Sequence, residues 1–331
     1  MATFKAFLVT EDDGQFRQDV VQRSFDALPD NDVLIKVSYS SLNYKDALSA
    51  SGHKGVTREY PHTPGIDAAG VVVSDRTGRW QPGTEVVVIG YDLGMNTSGG
   101  FAEFISVPAD WPIQLPDNIS LEESMMLGTA GITAAYCLEK LLDNGLVADN
   151  GEVLVTGATG GVGAFALTIL AQMGFSVVAS SGKPEASEWL LELGASRVID
   201  RNEIGTQSSR PMLKSEWAGA VDTVGGHTLE NIVKSLKFGA SVAACGNVTG
   251  ADLQMTVFPY ILRGVNLLGV ASADASRDDR IRAFGKLASM WKPARLRNMV
   301  QHVGLRGLSE QIRQMLAGQH QKRVVVDLAK E

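Results

Sequence analysis

Val153-Leu154-Val155-Thr156-Gly157-Ala158-Thr159-Gly160-Gly161-Val162-Gly163-Ala164 runs from an apolar strand through a cluster of glycines into a helix. The glycines that matter are spaced GxxGxxG. Gly157 permits the tight turn, Gly160 lets backbone approach a pyrophosphate, and Gly163 lets the helix pack against the strand, while the helix N-terminus offers its free N–H groups to phosphate. A glycine triplet alone is a weak signal. Placed after a strand and before a helix, inside repeating βα units, it predicts a dinucleotide site.

Those units extend on both sides of the motif. Glu152 to Thr156, Ser176 to Ser180, Arg197 to Asp200, Ala220 to Val224, Ser241 to Cys245 and Asn266 to Ala271 read as strands. Helical runs fall between most of them, such as Pro184 to Leu193 with Gly194 at the C-cap position. This alternation predicts a doubly wound parallel sheet of the Rossmann kind. Residues 1 to about 120 instead carry short β-rich runs separated by Gly, Pro and Asp, among them Asp32 to Tyr39, Ala69 to Val73 and Thr84 to Ile89. Ser120 with Glu123 forms an N-cap signature that opens an Ala- and Leu-rich helix to about Leu142. A last helix, Leu308 to Leu316, and a β run, Lys322 to Leu328, are too short to fold alone and are assigned to the first domain. The α/β chain is therefore divided into a β-barrel-like domain, 1–123 with 300–331, and a dinucleotide-binding domain, 124–299.

Bulk properties narrow the function. A chain of 331 residues exceeds one ordinary core and suits two domains. Its net charge of −7 argues against binding nucleic acid by phosphate neutralisation. Two cysteines, Cys137 and Cys245, are too few for a disulfide framework or a cysteine-rich zinc lobe, and point to a reducing, cytoplasmic setting. The N-terminal residues through Val9 read as a strand without an export signal, and no run reaches the roughly 20 apolar residues of a membrane helix.

The end of the second strand selects the cofactor. Val177-Val178-Ala179-Ser180-Ser181-Gly182-Lys183 carries no carboxylate where an NAD-binding chain needs one for its ribose. Ser181 can donate to a 2′-phosphate and Lys183 can pair with it, with Arg201 as a second cation, so NADPH is expected.

With these residues in view the chain resembles the medium-chain dehydrogenase/reductase superfamily along its length. Pro64-Gly65-Ile66-Asp67-Ala68-Ala69-Gly70 stands where the zinc alcohol dehydrogenases carry Gly-His-Glu, and Gly99 to Phe104, Gly128 to Ala134 and Val221 to Gly226 continue the match. The resemblance implies a chaperonin-10-like β-barrel as the catalytic domain. Ile66 replaces the metal-binding His and Asn43 occupies the region of the first Cys ligand, so no tetrahedral N/S zinc site is expected. The zinc-free branches mostly reduce conjugated enones, enoyl thioesters or quinones. Ser41-Leu42-Asn43-Tyr44-Lys45-Asp46-Ala47-Leu48 and Ile261 to Val270 are similar to the acryloyl-CoA reductase and quinone oxidoreductase group. This implies a homodimer that uses NADPH to reduce acryloyl-CoA to propionyl-CoA. The same resemblance places Tyr44, Thr159, Gly160, Gly161, Val162, Ser181, Gly182, Lys183, Arg201, Cys245, Pro259 and Val270 along the cofactor. Two departures stand out, Lys322-Arg323 for a usual Gly-Arg, and Ala271 for a common acidic residue.

Reduction of an enone or enoyl thioester develops negative charge on the carbonyl oxygen, so the site needs a donor there. Tyr44 is the first candidate, Asn43 its polarising partner, and Lys45 and Asp46 weaker ones. Arg263 is read as a surface or interface residue before a contact to CoA phosphate, Cys245 as a small core residue, and His62 as a core or surface histidine. A quinone oxidoreductase and a non-catalytic NADPH-binding protein are the competing readings.

Overall fold

The computed structural model describes residues 2–330; Met1 and Glu331 lie outside the described residues. Two compact units emerge. One takes the chain through Thr129, the segment Ala273–Ser289 and everything from Leu296 onward; the other takes Ala130–Ser272 and Met290–Arg295.

In the second unit six strands lie in one sheet: Val153–Val155, Val177–Ser181, Arg197–Asp200, Trp217–Asp222, Leu236–Ala244 and Asn266–Gly269. Numbered in that order they run 3-2-1-4-5-6, all parallel. This is the doubly wound order, with its switch point between the first and fourth strands. The first strand is buried at every position and feeds the helix Gly161–Gln172, of which eight residues are buried. Its core continues through Leu154, Val178, Ala220, Ile232, Leu236 and Val242. A run buried on both faces reads as unbroken Val, Leu and Ala, which is what the sequence shows here.

The first unit is built around the strand Val33–Leu42, which pairs antiparallel with Asp67–Asp75, with Phe104–Val107 and with Arg323–Asp327. The C-terminal strand thus lies beside a strand nearly 300 residues earlier. Phe7, Ile35, Val37, Val86, Phe101, Ile105, Leu308 and Val324 belong to one buried cluster. Ala273–Ser289 groups with this unit for a packing reason: Phe284 and Leu287 are buried, the Arg280 guanidinium lies 3.8 Å from the Tyr91 ring centroid, and Asn118 Nδ2 donates to Ala288 O at 2.5 Å.

The helix Leu121–Asp143 opens with the anticipated capping box: Glu123 N–H donates to Ser120 Oγ at 3.1 Å and Ser120 N–H to Glu123 Oε2 at 3.2 Å. It is broken by Gly128, whose φ of 51° no ordinary helical residue adopts. A Cβ there would stand 2.3 Å from Arg323 Nη2 and 2.6 Å from Asp67 Oδ2. Backbone angle and close approach both require glycine.

Candidate active site

Beside that kink the first unit buries a charge network. Asp67 is fully buried and Arg323 nearly so, and Arg323 Nη2 meets Asp67 Oδ2 at 2.7 Å. Ser41 Oγ donates to the same oxygen at 2.6 Å, Asn43 Nδ2 at 2.8 Å and Thr129 N–H at 3.0 Å, while Thr129 Oγ1 donates to Asp67 Oδ1 at 2.5 Å. Arg323 Nη1 donates to Leu42 O at 2.9 Å and to Asn43 Oδ1 at 2.7 Å. A buried ion pair of this kind is stable only when its remaining donors and acceptors are satisfied, and on the carboxylate side they are.

Asn43 is therefore tied inward. Its amide donates to Ser41 O at 3.2 Å and to Asp67, and its carbonyl accepts from Arg323. Both amide hydrogens are occupied within the first unit. Its neighbour is Tyr44, first residue of the helix Tyr44–Ala50; it is 40% exposed, and its hydroxyl has no hydrogen-bond partner among the described residues. Asp46 completes the cap: its fully buried carboxylate accepts from the N–H groups of Asn43 (2.8 Å), Gly65 (3.0 Å) and Ile66 (2.8 Å). One side chain thus holds the Tyr44 helix against the Gly65–Ile66 segment.

Burial, aided by the charge of Asp67, pushes Asp46 up to about 7, against the pull of its backbone donors and of Arg323. The unfolded carboxyl titrates near 4. Between roughly pH 4 and 7 the folded chain holds the extra proton, so this group's stabilisation is present at low pH and is lost as pH rises to 7. The expected loss is on the order of a few kcal/mol. It is checked by melting profiles from pH 5 to 8 of the chain and of Asp46→Asn, which lacks the titrating group. The stability difference between them should narrow as pH rises, and parallel profiles would refute the assignment.

In the second unit the glycine motif behaves as read. Gly157 has φ 56°, Gly160 caps the helix with no side chain bonded to its end, and a Cβ on Gly163 would lie 2.5 Å from Gly157 O. The first N–H groups of the helix thus remain open to an anion. Thr159 is buried beside them. At the end of the second strand Ser181 Oγ accepts from Lys183 N–H at 3.1 Å. Arg201 lies flat against Gly182, where an added Cβ would fall 2.5 Å from its Nε. Burial lowers the Lys183 ammonium and nearby Arg201 adds to this, with Glu185 opposing. Two cations thus share one corner. Cys245 bonds through its N–H to Asp222 O at 3.0 Å, Pro259 is buried in the helix Phe258–Arg263, and Val270 N–H donates to Ala244 O at 2.9 Å.

Sequence reasoning missed the residues that hold these pieces. Asp222, buried, accepts from Thr156 Oγ1 at 2.7 Å and from Gly225 N–H at 2.9 Å, tying the first and fourth strands together at the switch point. Burial raises its pKa. Arg263 is not a free surface cation: its guanidinium donates to the carbonyls of Lys234, Leu236 and Leu213. His62 is buried with Nε2 at 2.9 Å from Gly94 O, and burial lowers its pKa. Among the described residues no group of three or more His, Cys, Asp or Glu is placed to hold a metal ion.

Comparison with known proteins agrees with this architecture. Residues 29–117 match the alcohol dehydrogenase GroES-like domain and residues 161–289 the zinc-binding dehydrogenase domain. The chain belongs to the medium-chain dehydrogenase/reductase family and is an oxidoreductase. It is 42% identical to acrylyl-CoA reductase AcuI of Ruegeria pomeroyi over 98% of this chain and 99% of that one. It is 44% identical to the "Putative quinone oxidoreductase YhfP" of Bacillus subtilis over 92% and 93% of the two chains. Among solved structures, the yhdH oxidoreductase from Salmonella enterica in complex with NADP superposes with a TM-score of 0.95, at 37% identity and covering 98% and 99%. Bacillus subtilis yhfP with NAD bound gives 0.94, at 42% identity and covering 99% and 100%.

Proposed function

We propose that this chain reduces an activated carbon-carbon double bond with NADPH and that acryloyl-CoA, giving propionyl-CoA, is its substrate. Bound NADPH supplies the hydride. The open N–H groups at the start of the Gly161–Gln172 helix and the backbone of Thr159 to Val162 suit its pyrophosphate, and Ser181, Lys183 and Arg201 suit the 2′-phosphate. Cys245, Pro259 and Val270 are assigned to the remaining wall.

The observation that carries the reading is Tyr44. Its neighbours are locked by Asp46, Asp67 and Arg323, yet its phenol is exposed and without a partner, as a donor to a developing enolate oxygen must be. Asn43 serves as a positioning residue that fixes the start of the tyrosine's helix. The same hydride serves a quinone, and the resemblance to YhfP supports that as the second reading. Initial rates of NADPH oxidation with acryloyl-CoA, crotonoyl-CoA and 1,4-benzoquinone separate the two. Preference for acryloyl-CoA supports the thioester reading, and turnover of the quinone alone overturns it.

A homodimer is part of the proposal. The strand Asn266–Gly269 ends its sheet with one side unpaired among the described residues, and the helix just before it exposes Ile261 (67%) and Leu262 (61%). An open edge flanked by apolar side chains is suited to a second copy. Ile261→Asp with Leu262→Asp should halve the mass measured by light scattering. An unchanged mass would move the interface elsewhere.

A further inference from the structure

The helix Gly226–Ser235 buries two opposite charges. Glu230 is 1% exposed and Lys234, one turn further on, 3%. Their charged atoms stand 3.8 Å apart, and Lys234 Nζ gives its hydrogen bond to Ser208 O at 2.9 Å instead. His227 brings Nδ1 to 3.3 Å from Glu230 Oε2. The shortest bond to the carboxylate comes from a loop: Gln254 N–H donates to Glu230 Oε1 at 2.7 Å. A carboxylate this deep is tolerated only with hydrogen-bond partners, and here a loop backbone is one of them.

The loop joins the fifth strand, which ends at Ala244, to the helix Phe258–Arg263. From Asn247 to Gln254 nearly all of it is exposed, so apolar packing holds little of it. Thr249 fastens the near end: its N–H and Oγ1 donate to Val224 O at 2.8 and 2.9 Å, and Gly250 bridges to Gly225. Gln254 fastens the far end to Glu230. The sheet order 3-2-1-4-5-6 tells what such a loop borders. A nucleotide with its 2′-phosphate at Ser181–Lys183, after the second strand, and its pyrophosphate at the glycine motif, after the first, runs on toward the ends of the fourth and fifth strands. Its nicotinamide half then lies on the side of Cys245 and the loop that follows.

We propose that Glu230 is a positioning residue, which pins the loop 245–257 through the Gln254 N–H so that it borders the nicotinamide half of NADPH; this rests on the cofactor placement above. The test compares Glu230→Gln with Lys234→Met against Glu230→Leu with Lys234→Met in the full chain. Both pairs remove the buried charges, and only the first keeps an acceptor oxygen for Gln254. Binding is titrated with NADPH and with 2′,5′-ADP, which carries the 2′-phosphate end and no nicotinamide. The leucine variant should bind NADPH about 5- to 10-fold more weakly than the glutamine variant, the worth of one hydrogen bond, while 2′,5′-ADP binds both alike. Equal losses for the two ligands, or no loss, would leave Glu230 a support of the sheet and overturn the role. Amide hydrogen exchange of the unaltered chain decides the matter should either variant fail to fold. There the Gln254 amide should exchange slowly, and NADPH but not 2′,5′-ADP should slow it further. A fast Gln254 amide, or the same effect from both ligands, overturns the role as well. If the unaltered chain binds NADPH no more tightly than 2′,5′-ADP, the cofactor placement falls and takes this role with it.

Discussion

Arg323→Met is expected to destabilise the chain by about 3–5 kcal/mol, the cost of leaving one member of a buried ion pair without its partner. Asp67 would stay fully buried with Ser41, Asn43 and Thr129 still donating to it, but with no compensating charge. Asn43 would lose the donor to its carbonyl, and the start of the Tyr44 helix its lateral anchor. Urea unfolding measures the first effect and kcat the second; both should drop in the same variant. Adding Asp67→Leu removes the orphaned charge, so the double variant should recover a large part of the stability and little of the activity. A single variant as stable as the parent would show that the pair is not the support described.

Lys183→Ala with Arg201→Ala should cost about 100-fold or more in NADPH affinity and leave NADH affinity nearly unchanged. A charge-assisted hydrogen bond contributes roughly 1.5–3 kcal/mol, and two are removed. Of the two comparison structures with bound cofactor, one holds NADP and the other NAD, so relatives of this fold hold either nucleotide. Titration of intrinsic fluorescence with each cofactor reads the outcome. Equal losses for both cofactors would mean that the residues support the site without reading the 2′-phosphate.

Local pattern made the nucleotide-binding sheet legible because its strands are buried on both faces and read as apolar runs. Where that signal thins, so did the reading. The fifth strand begins at Leu236 rather than Ser241, since Lys237, Phe238 and Gly239 carry no buried pattern although their backbone is extended. The fourth begins at Trp217, whose burial shows only in three dimensions. Pro184 to Leu193 is a 3₁₀ turn, Pro184–Ala186, followed by a short helix, Ser187–Glu192, because the proline fixes φ at its start.

The candidate site was legible in part. Asn43 and Tyr44 stand out in a polar stretch, and Lys183 and Arg201 at strand ends where ligands bind. Asp67 and Arg323 did not, being 256 residues apart on two strands that share Val33–Leu42 as their common neighbour, a pairing no local period reports. A signal was present: each is a charge set against a run of small or apolar β residues, Ala68-Ala69 and Val324-Val325-Val326, and a charge buried in such a sheet must find its opposite. Arg263 misled for the converse reason, since an arginine after apolar residues reads as exposed until its carbonyl partners are seen.

The most direct measurement follows deuterium from NADPH labelled at the transferable C4 position into product. With acryloyl-CoA as acceptor, one deuterium should appear at the β-carbon of propionyl-CoA, located by mass spectrometry, and Tyr44→Phe should slow its appearance without weakening NADPH binding. Propionyl-CoA without label, or NADPH consumed with no propionyl-CoA formed, would contradict the account.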